Sequence, residues 1–111
     1  MIRIDAIWLA TEPMDMRAGT ETALARVIDV FGAAKPHCAY LFANRRTTRL
    51  KVQVRDGGGV WLAARRLHQG KFDWSGIRHG PQVELDIEQL QVLVFGLPWQ
   101  LVGSNAAITM L

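Results

Sequence analysis

The chain has 111 residues with a formal net charge of +3, and half of its residues are hydrophobic. This length predicts a single globular domain over residues 1–111, and the ordinary apolar share excludes a disordered chain. No apolar run approaches the about 20 residues of a membrane span, and the charges of Arg3 and Asp5 argue against a secretory signal. Cys38 is the single cysteine, which excludes an internal disulfide. We therefore expect a cytoplasmic protein.

The first half of the chain predicts a strand, a helix and a second strand. Residues 3–10 (RIDAIWLA) are rich in strand-forming residues. Residues 20–31 predict an amphipathic helix with Thr20 as N-cap, and Gly32 is placed to end it. The apolar stripe of this helix has the spacing i, i+3, i+4, i+7 and consists of Leu24, Val27, Ile28 and Phe31. Residues 39–43 are apolar and predict the next strand.

The clearest strand prediction covers residues 48–55, where apolar and polar side chains alternate. One face carries Leu50, Val52 and Val54, and the other carries Arg49, Lys51, Gln53 and Arg55. Residues 56–59 (DGGG) predict a turn, after which residues 60–65 return as the partner strand. A four-residue loop would place Trp61 opposite Val54 in the core, whereas a three-residue loop would place it opposite Arg55 on the basic face. The sequence leaves both registers open.

The last third predicts a short strand over residues 82–85 and a second helix that begins at Asp86, with Gln89 as its capping-box partner. Residues 99–111 show no periodicity and predict a loosely packed tail. Short turns between consecutive strands predict antiparallel pairing. The expected fold is α+β, with a single antiparallel sheet of four to five strands and two helices on one face.

Charge is concentrated in residues 45–71, which hold eight basic residues and one acid, whereas the rest of the chain is net acidic. This pattern favours contact with a polyanion such as DNA, and the alternative is a solvated sheet face that needs charge for solubility. The candidate nucleic-acid-binding residues are Arg45, Arg46, Arg49, Lys51, Arg55, Arg66 and Lys71. Arg65 and Arg66 point to opposite faces if both are in a strand, and we expect one of them to pair with Asp56 or Asp73.

Aromatic and loop residues around the basic segment have two interpretations. Trp61 and Trp74 can stack on unpaired bases or pack in the core, and burial of the large ring is the default. Asp15 and Arg17 precede the first helix, and we expect Asp15 to accept backbone N–H groups there or to form a structural salt bridge with a basic residue of the hairpin. Gly19 is expected at a tight corner. The acids form no motif for a metal-dependent enzyme. We therefore expect no catalytic site, metal or cofactor.

The order of several short motifs resembles one known family. Residues 15–19 (DMRAG) resemble its D-M-R-x-G signature, and residues 41–52 (LFANRRTTRLKV) resemble F-x-N-R-R-x-D-R-L-K. Residues 56–62 and 65–74 resemble the continuation D-G-x-G-x-x-L and K-R-L-x-x-G-x-F-x-W, and residues 89–99 resemble its closing segment. Together they are similar to TnpB, the small second-reading-frame accessory protein of the bacterial insertion-sequence family sixty-six, which is distinct from the RNA-guided nuclease of the same name.

The resemblance covers about residues 3–100 and departs from the pattern at Thr48, where the family has an acid, and at Arg65, where it has Lys. It implies a role in transposition beside a longer transposase and other accessory proteins. It also implies motif positions at Asp15, Arg17, Gly19, Asp56 and Trp74. We expect binding to DNA at the element ends, and hence association with the nucleoid, or docking of the basic face on the transposase as a protein adaptor.

Overall fold

The computed structural model describes residues 3–74 and 80–102. In these residues the chain forms five strands, two α-helices and one 3-10 turn. In chain order they are β1 (Ala6–Ala10), α1 (Thr20–Phe31), β2 (Cys38–Ala43), β3 (Arg49–Arg55), β4 (Val60–Arg66), β5 (Gln82–Leu85), α2 (Ile87–Leu93) and the 3-10 turn Trp99–Leu101. The predicted α+β class with two helices is confirmed.

The strands form one sheet in the order β4-β3-β2-β1-β5. Three of the four pairings are antiparallel, as expected. The prediction of a wholly antiparallel sheet is wrong at one pair, because β1 and β2 run parallel from Ala6 opposite Cys38 to Leu9 opposite Leu41. The connection between them contains α1, and a crossover of this length is what a parallel pair requires.

The two helices cover opposite faces of the sheet, so the prediction that they share one face is wrong. On one face, Ala23 and Val27 of α1 pack into a cluster with Tyr40 and Phe42. On the other face, Leu93 of α2 packs into a second cluster, whose other members include Ile7, Leu9, Leu41, Leu50 and Phe72. All six residues of β2 are buried. A strand with this continuous apolar run fits a sheet covered on both sides.

The β3–β4 hairpin has the four-residue loop, with Val54 opposite Trp61 and Arg55 opposite Val60. Trp61 therefore points to the α2 side of the sheet, but the prediction that this register buries it is wrong, since it is 55% exposed. It lies on β4, an edge strand of the sheet, where β3 is its one neighbour among the described strands. Its indole Nε1 donates to Asp56 Oδ2 at 3.0 Å.

Local signals set most of the helix ends. Asp86 and Gln89 form the predicted capping box, and Gly32 ends α1 with a φ of 82°. The N-cap of α1 is Gly19, without a side-chain cap, so the prediction of Thr20 is displaced by one residue. Trp99, which begins the predicted tail, is buried. The rest of that prediction, from residue 103 on, lies outside the described residues.

Candidate nucleic-acid interface

Two arginines face each other at one end of the hairpin. Arg49 begins β3 and stands directly opposite Arg66, the last residue of β4. Alternation along the strands places both side chains on the α1 side of the sheet. Side chains directly opposite on neighbouring strands are about 4.5–5.5 Å apart at Cβ, and like charges in such a pair are destabilising. In the described part of the chain no carboxylate lies within salt-bridge distance of either arginine.

Two clefts adjoin this pair and share Met16 and Arg49 as lining residues. The larger has a volume of about 460 Å³, and its charged and polar lining consists of Asp15, Arg17, Asn44, Arg45 and Arg49. The smaller has a volume of about 310 Å³ and is lined by Met16, Arg49, Lys51, Ala64, Arg65 and Arg66. We call the two together the basic cleft. Asp15 is the one carboxylate among the described residues that line it.

One wall of the basic cleft is a turn that the side chain of Asn44 closes with hydrogen bonds. Asn44 Oδ1 accepts the backbone N–H groups of Thr48 and Arg49 at 2.8 and 3.0 Å. Its Nδ2 donates to Thr48 Oγ1 at 2.9 Å. Asparagine closes turns in this way because its short amide reaches the following backbone. The turn leaves the side chains of Arg45 and Arg46 exposed.

The opposite wall contains Asp15, which forms its salt bridge with Arg17 and not with a basic residue of the hairpin. Arg17 Nη2 and Nε donate to Asp15 Oδ2 and Oδ1 at 2.8 and 3.1 Å, and the Arg17 backbone N–H also donates to Oδ1 at 2.9 Å. These hydrogen bonds from Arg17 lower the pKa of the Asp15 carboxyl from 3.8 to about 2. The guanidinium itself remains largely exposed, so Arg17 adds a cation whose charge Asp15 offsets.

Two of the candidate cations bind backbone carbonyls at the two ends of α1. Lys51 Nζ donates to Ala18 O at 2.8 Å, just before the helix, and Arg55 Nη1 donates to Ala34 O at 3.1 Å, just after it. The expectation that this row of β3 faces only solvent or a ligand is therefore wrong, because α1 covers its middle. Gln53 lies between them and is buried. Arg55 is about 20 Å along the strand from Arg49 and lies outside the basic cleft.

The arginine pair at the end of β4 divides between the two faces as expected, but neither member has the predicted acidic partner. Arg65 Nε donates to Val94 O at 2.6 Å, and its guanidinium lies 5.4 Å from the centre of the Phe95 ring. Asp56 instead accepts the N–H groups of Gly58 and Gly59 in addition to the Trp61 indole, and these bonds lower its pKa. Asp56 therefore closes the hairpin loop.

The other candidate residues have structural or isolated positions. Lys71 is exposed in the segment after β4, where the next residue, Phe72, donates its N–H to Thr47 O at 2.8 Å. Trp74 packs against the α2-side core and donates its indole N–H to Ala10 O at 2.8 Å, which favours its structural interpretation. The structure thus brings together Arg45, Arg49, Lys51 and Arg66. Sequence reasoning predicted a polar turn at residues 44–47 but did not include Met16 or Asn44 among the site residues.

Within residues 3–74 and 80–102, no three His, Cys, Asp or Glu side chains converge on a metal position. No helix there has the length and apolar character needed to cross a membrane.

Comparison with known proteins decides the family. The family model of the IS66 Orf2-like proteins matches residues 5–104. The chain belongs to the IS66 Orf2-like family. Two relatives from Sinorhizobium fredii, the uncharacterized proteins y4jC and y4hO, are 33% and 32% identical to it over 95 residues. These alignments cover 84% and 85% of this chain and 80% and 82% of the relatives. No solved structure gives a significant match.

Membership of the IS66 Orf2-like family associates the chain with transposition of IS66-type insertion sequences, as the resemblance of its motifs implied. The motif positions have clear structural roles. Asp15 and Arg17 form a salt bridge, Asp56 closes the hairpin loop, and Trp74 anchors the segment after β4 to β1. Gly19 is the N-cap of α1, but the prediction of a tight corner there is wrong, because its φ is −82° and an added Cβ would meet nothing within 4 Å.

Proposed function

We propose that this protein is an accessory factor in transposition that binds the phosphate backbone of DNA in the basic cleft. The observation that carries the proposal is the cross-strand pair of Arg49 and Arg66. A protein rarely places two like charges opposite each other without a neutralising partner, because the pair costs folding free energy. A phosphate between the two guanidinium groups would turn this repulsion into two charge-assisted hydrogen-bonding contacts.

The surroundings of the pair support an extended anion as the ligand. Arg45 lines the same cleft beyond Arg49, and Lys51 lines it on the other side. A row of cations along an open cleft suits a chain of phosphates, whose binding is dominated by such sequence-independent contacts. Asp15 is already held by Arg17 and therefore does not neutralise Arg49 or Arg66.

The test is DNA binding measured by fluorescence anisotropy over a series of salt concentrations. The probes are a duplex that carries the terminal repeats of an IS66-type element and a scrambled duplex of equal length. We expect log affinity to fall linearly with log salt, and Arg49→Ala and Arg66→Ala each to reduce the slope by about 0.9 on duplex DNA. The matched control is Lys35→Ala, which removes one exposed positive charge away from the cleft.

Three outcomes would contradict the proposal. The absence of DNA binding by the wild-type chain at low salt would refute it. Binding that persists unchanged in both arginine variants would place the DNA elsewhere. If a purified transposase then bound the wild-type chain but not Arg49→Ala, the basic cleft would be assigned to an acidic protein surface and the adaptor alternative would stand. The proposal includes no catalysis, so Mg²⁺-dependent cleavage of either duplex would also contradict it.

A further inference from the structure

Among the described residues, the outer edge of β4 has no partner strand. β4 is the last strand in the sheet order, and in the described residues only β3 pairs with it. Its seven residues contain no proline, and the register with β3 is unbroken from Val60 to Arg66. None of the seven residues is buried. Long, regular edges of this kind are templates for pairing with another strand, and most proteins interrupt or cover them.

A backbone hydrogen bond in the hairpin loop determines which peptide groups of β4 point away from β3. Asp56 donates its N–H to Gly59 O at 2.9 Å. Hydrogen-bonded and non-hydrogen-bonded pairs alternate along an antiparallel ladder, so Trp61, Ala63 and Arg65 bond inward to β3. The outward N–H and C=O groups are therefore those of Val60, Leu62, Ala64 and Arg66.

We propose that this edge pairs with the same edge of a second copy of the chain, antiparallel, about a two-fold axis at Ala63. This register pairs all seven residues of β4. Leu62 then stands opposite the partner's Ala64, and Val60 opposite the partner's Arg66. The outward-facing groups meet one another, which gives about eight main-chain hydrogen bonds across the axis. The two five-stranded sheets become one continuous sheet.

The distribution of charge along β4 selects a second copy as the partner. Both arginines of the strand lie at its C-terminal end, so antiparallel pairing brings them against Val60 and Trp61 of the other copy and keeps them apart from each other. Trp61 stands opposite the partner's Arg65, and its exposed ring offers that guanidinium a cation–π contact. Arg65 already lies against Phe95 in its own chain. Ala63 at the axis is small enough for two copies to approach closely.

The axis of such a dimer is perpendicular to the sheet, so the two α1 faces lie on the same side. The two basic clefts then open on one surface, with the two Arg66 positions about 20 Å apart along the strand direction. Dimer formation itself does not rest on DNA binding, and the experiment is therefore performed without nucleic acid.

The test is sedimentation of the full chain and its variants across a range of concentrations. We expect a monomer–dimer equilibrium for the wild type and a dissociation constant at least about tenfold weaker for Ala63→Lys and for Ala63→Glu, because each places like charges together at the axis. An equimolar mixture of these two variants should regain the dimer. Ala25→Lys, which adds the same charge on the exposed face of α1, should dimerise like the wild type.

A second variant distinguishes loss of the dimer interface from loss of folding. Ala64→Pro removes only an outward-facing N–H, which an edge strand tolerates. We expect it to keep the wild-type circular dichroism spectrum and to remain monomeric. A wild-type chain that stays monomeric at its highest soluble concentration would overturn the proposal. A dimer that survives in folded Ala63→Lys and Ala64→Pro would overturn it too, because the interface would then lie elsewhere.

Discussion

In the proposed function, Arg66 serves DNA binding at the expense of stability. It faces Arg49 across the ladder with no carboxylate partner in the described part of the chain. We predict that Arg66→Glu raises the free energy of unfolding by about 0.2–1 kcal/mol, since it replaces a repulsive cross-strand pair by an attractive one. The same substitution should lower the affinity for DNA at low salt by more than Arg66→Ala does. Urea denaturation and anisotropy titrations measure the two effects.

The control for this prediction is Lys35→Glu, which makes an equal change in charge at an exposed position away from the cleft. It should leave the free energy of unfolding nearly unchanged. If Arg66→Glu proved less stable than the wild type, the two side chains would have to diverge rather than face each other.

Asp15 gives a prediction about pH. Its pKa is lowered from 3.8 to about 2 in the folded protein. The ionised carboxylate therefore contributes stability that is complete above pH 3.8 and is lost as the pH falls towards 2. We predict that Asp15→Asn unfolds at lower urea concentration than the wild type at neutral pH, and that this difference disappears near pH 2. A difference that is constant with pH would contradict the assignment to the ion pair.

The same substitution is expected to strengthen DNA binding although it lowers the stability of the fold. Asp15→Asn removes the single acid from the described lining of the basic cleft and leaves the charge of Arg17 without an offset. We expect its affinity for DNA at low salt to increase, and the anisotropy series of the wild type serves as the reference.

At the scale of elements, the end of α2 depends on Gly96. Its φ is 77°, and a Cβ there would lie 2.7 Å from Leu67 Cδ1 and 2.9 Å from Lys71 O. We predict that Gly96→Ala lowers the free energy of unfolding by at least about 1–2 kcal/mol, the cost of a left-handed conformation for a residue with Cβ. The matched control is Gly57→Ala in the hairpin loop, where a Cβ meets nothing within 4 Å. Urea denaturation should give a clearly lower free energy of unfolding for Gly96→Ala than for Gly57→Ala. Equal values would refute the role of Gly96.

Helix α1 is tied to the sheet at both ends by cations of β3. Lys51 binds the carbonyl of Ala18 and Arg55 binds that of Ala34, on either side of the helix. The positive charge of Arg55 also lies near the C-terminal end of α1, where the helix dipole favours cations. Part of the basic charge in the hairpin therefore has a structural role, and a count of Lys and Arg overestimates the surface available to a ligand.

For the whole molecule, the sequence predicted where the helices and strands are but not how they pack against one another. Periodicity located α1 and the β3–β4 hairpin because apolar spacing depends only on neighbouring residues. It did not show that β1 and β2 are parallel or that the helices cover opposite faces, because these depend on how distant elements pack. The uninterrupted apolar run of β2, buried throughout, was the available signal that both faces are covered.

The candidate site was predictable to a similar degree. Charge clustering identified Arg45, Arg49 and Arg66, which the fold brings to one cleft. The sequence did not distinguish them from Arg55, because a helix carbonyl that binds a cation is visible only once α1 is placed. Similarly, the exposure of Trp61 follows from the position of β4 at the edge of the sheet, which no local pattern encodes.

The position of β5 has a consequence for how the chain reaches its native state. β5 pairs with β1, with Leu85 opposite Ile7, so the last of the five described strands completes the pairing of the first. Contacts between such distant segments slow folding, because a long loop must close before they form. During synthesis on the ribosome, the helix crossover and the hairpin can form early, while one edge of β1 remains open until β5 emerges. The sheet is therefore expected to close only after β5 has left the ribosome.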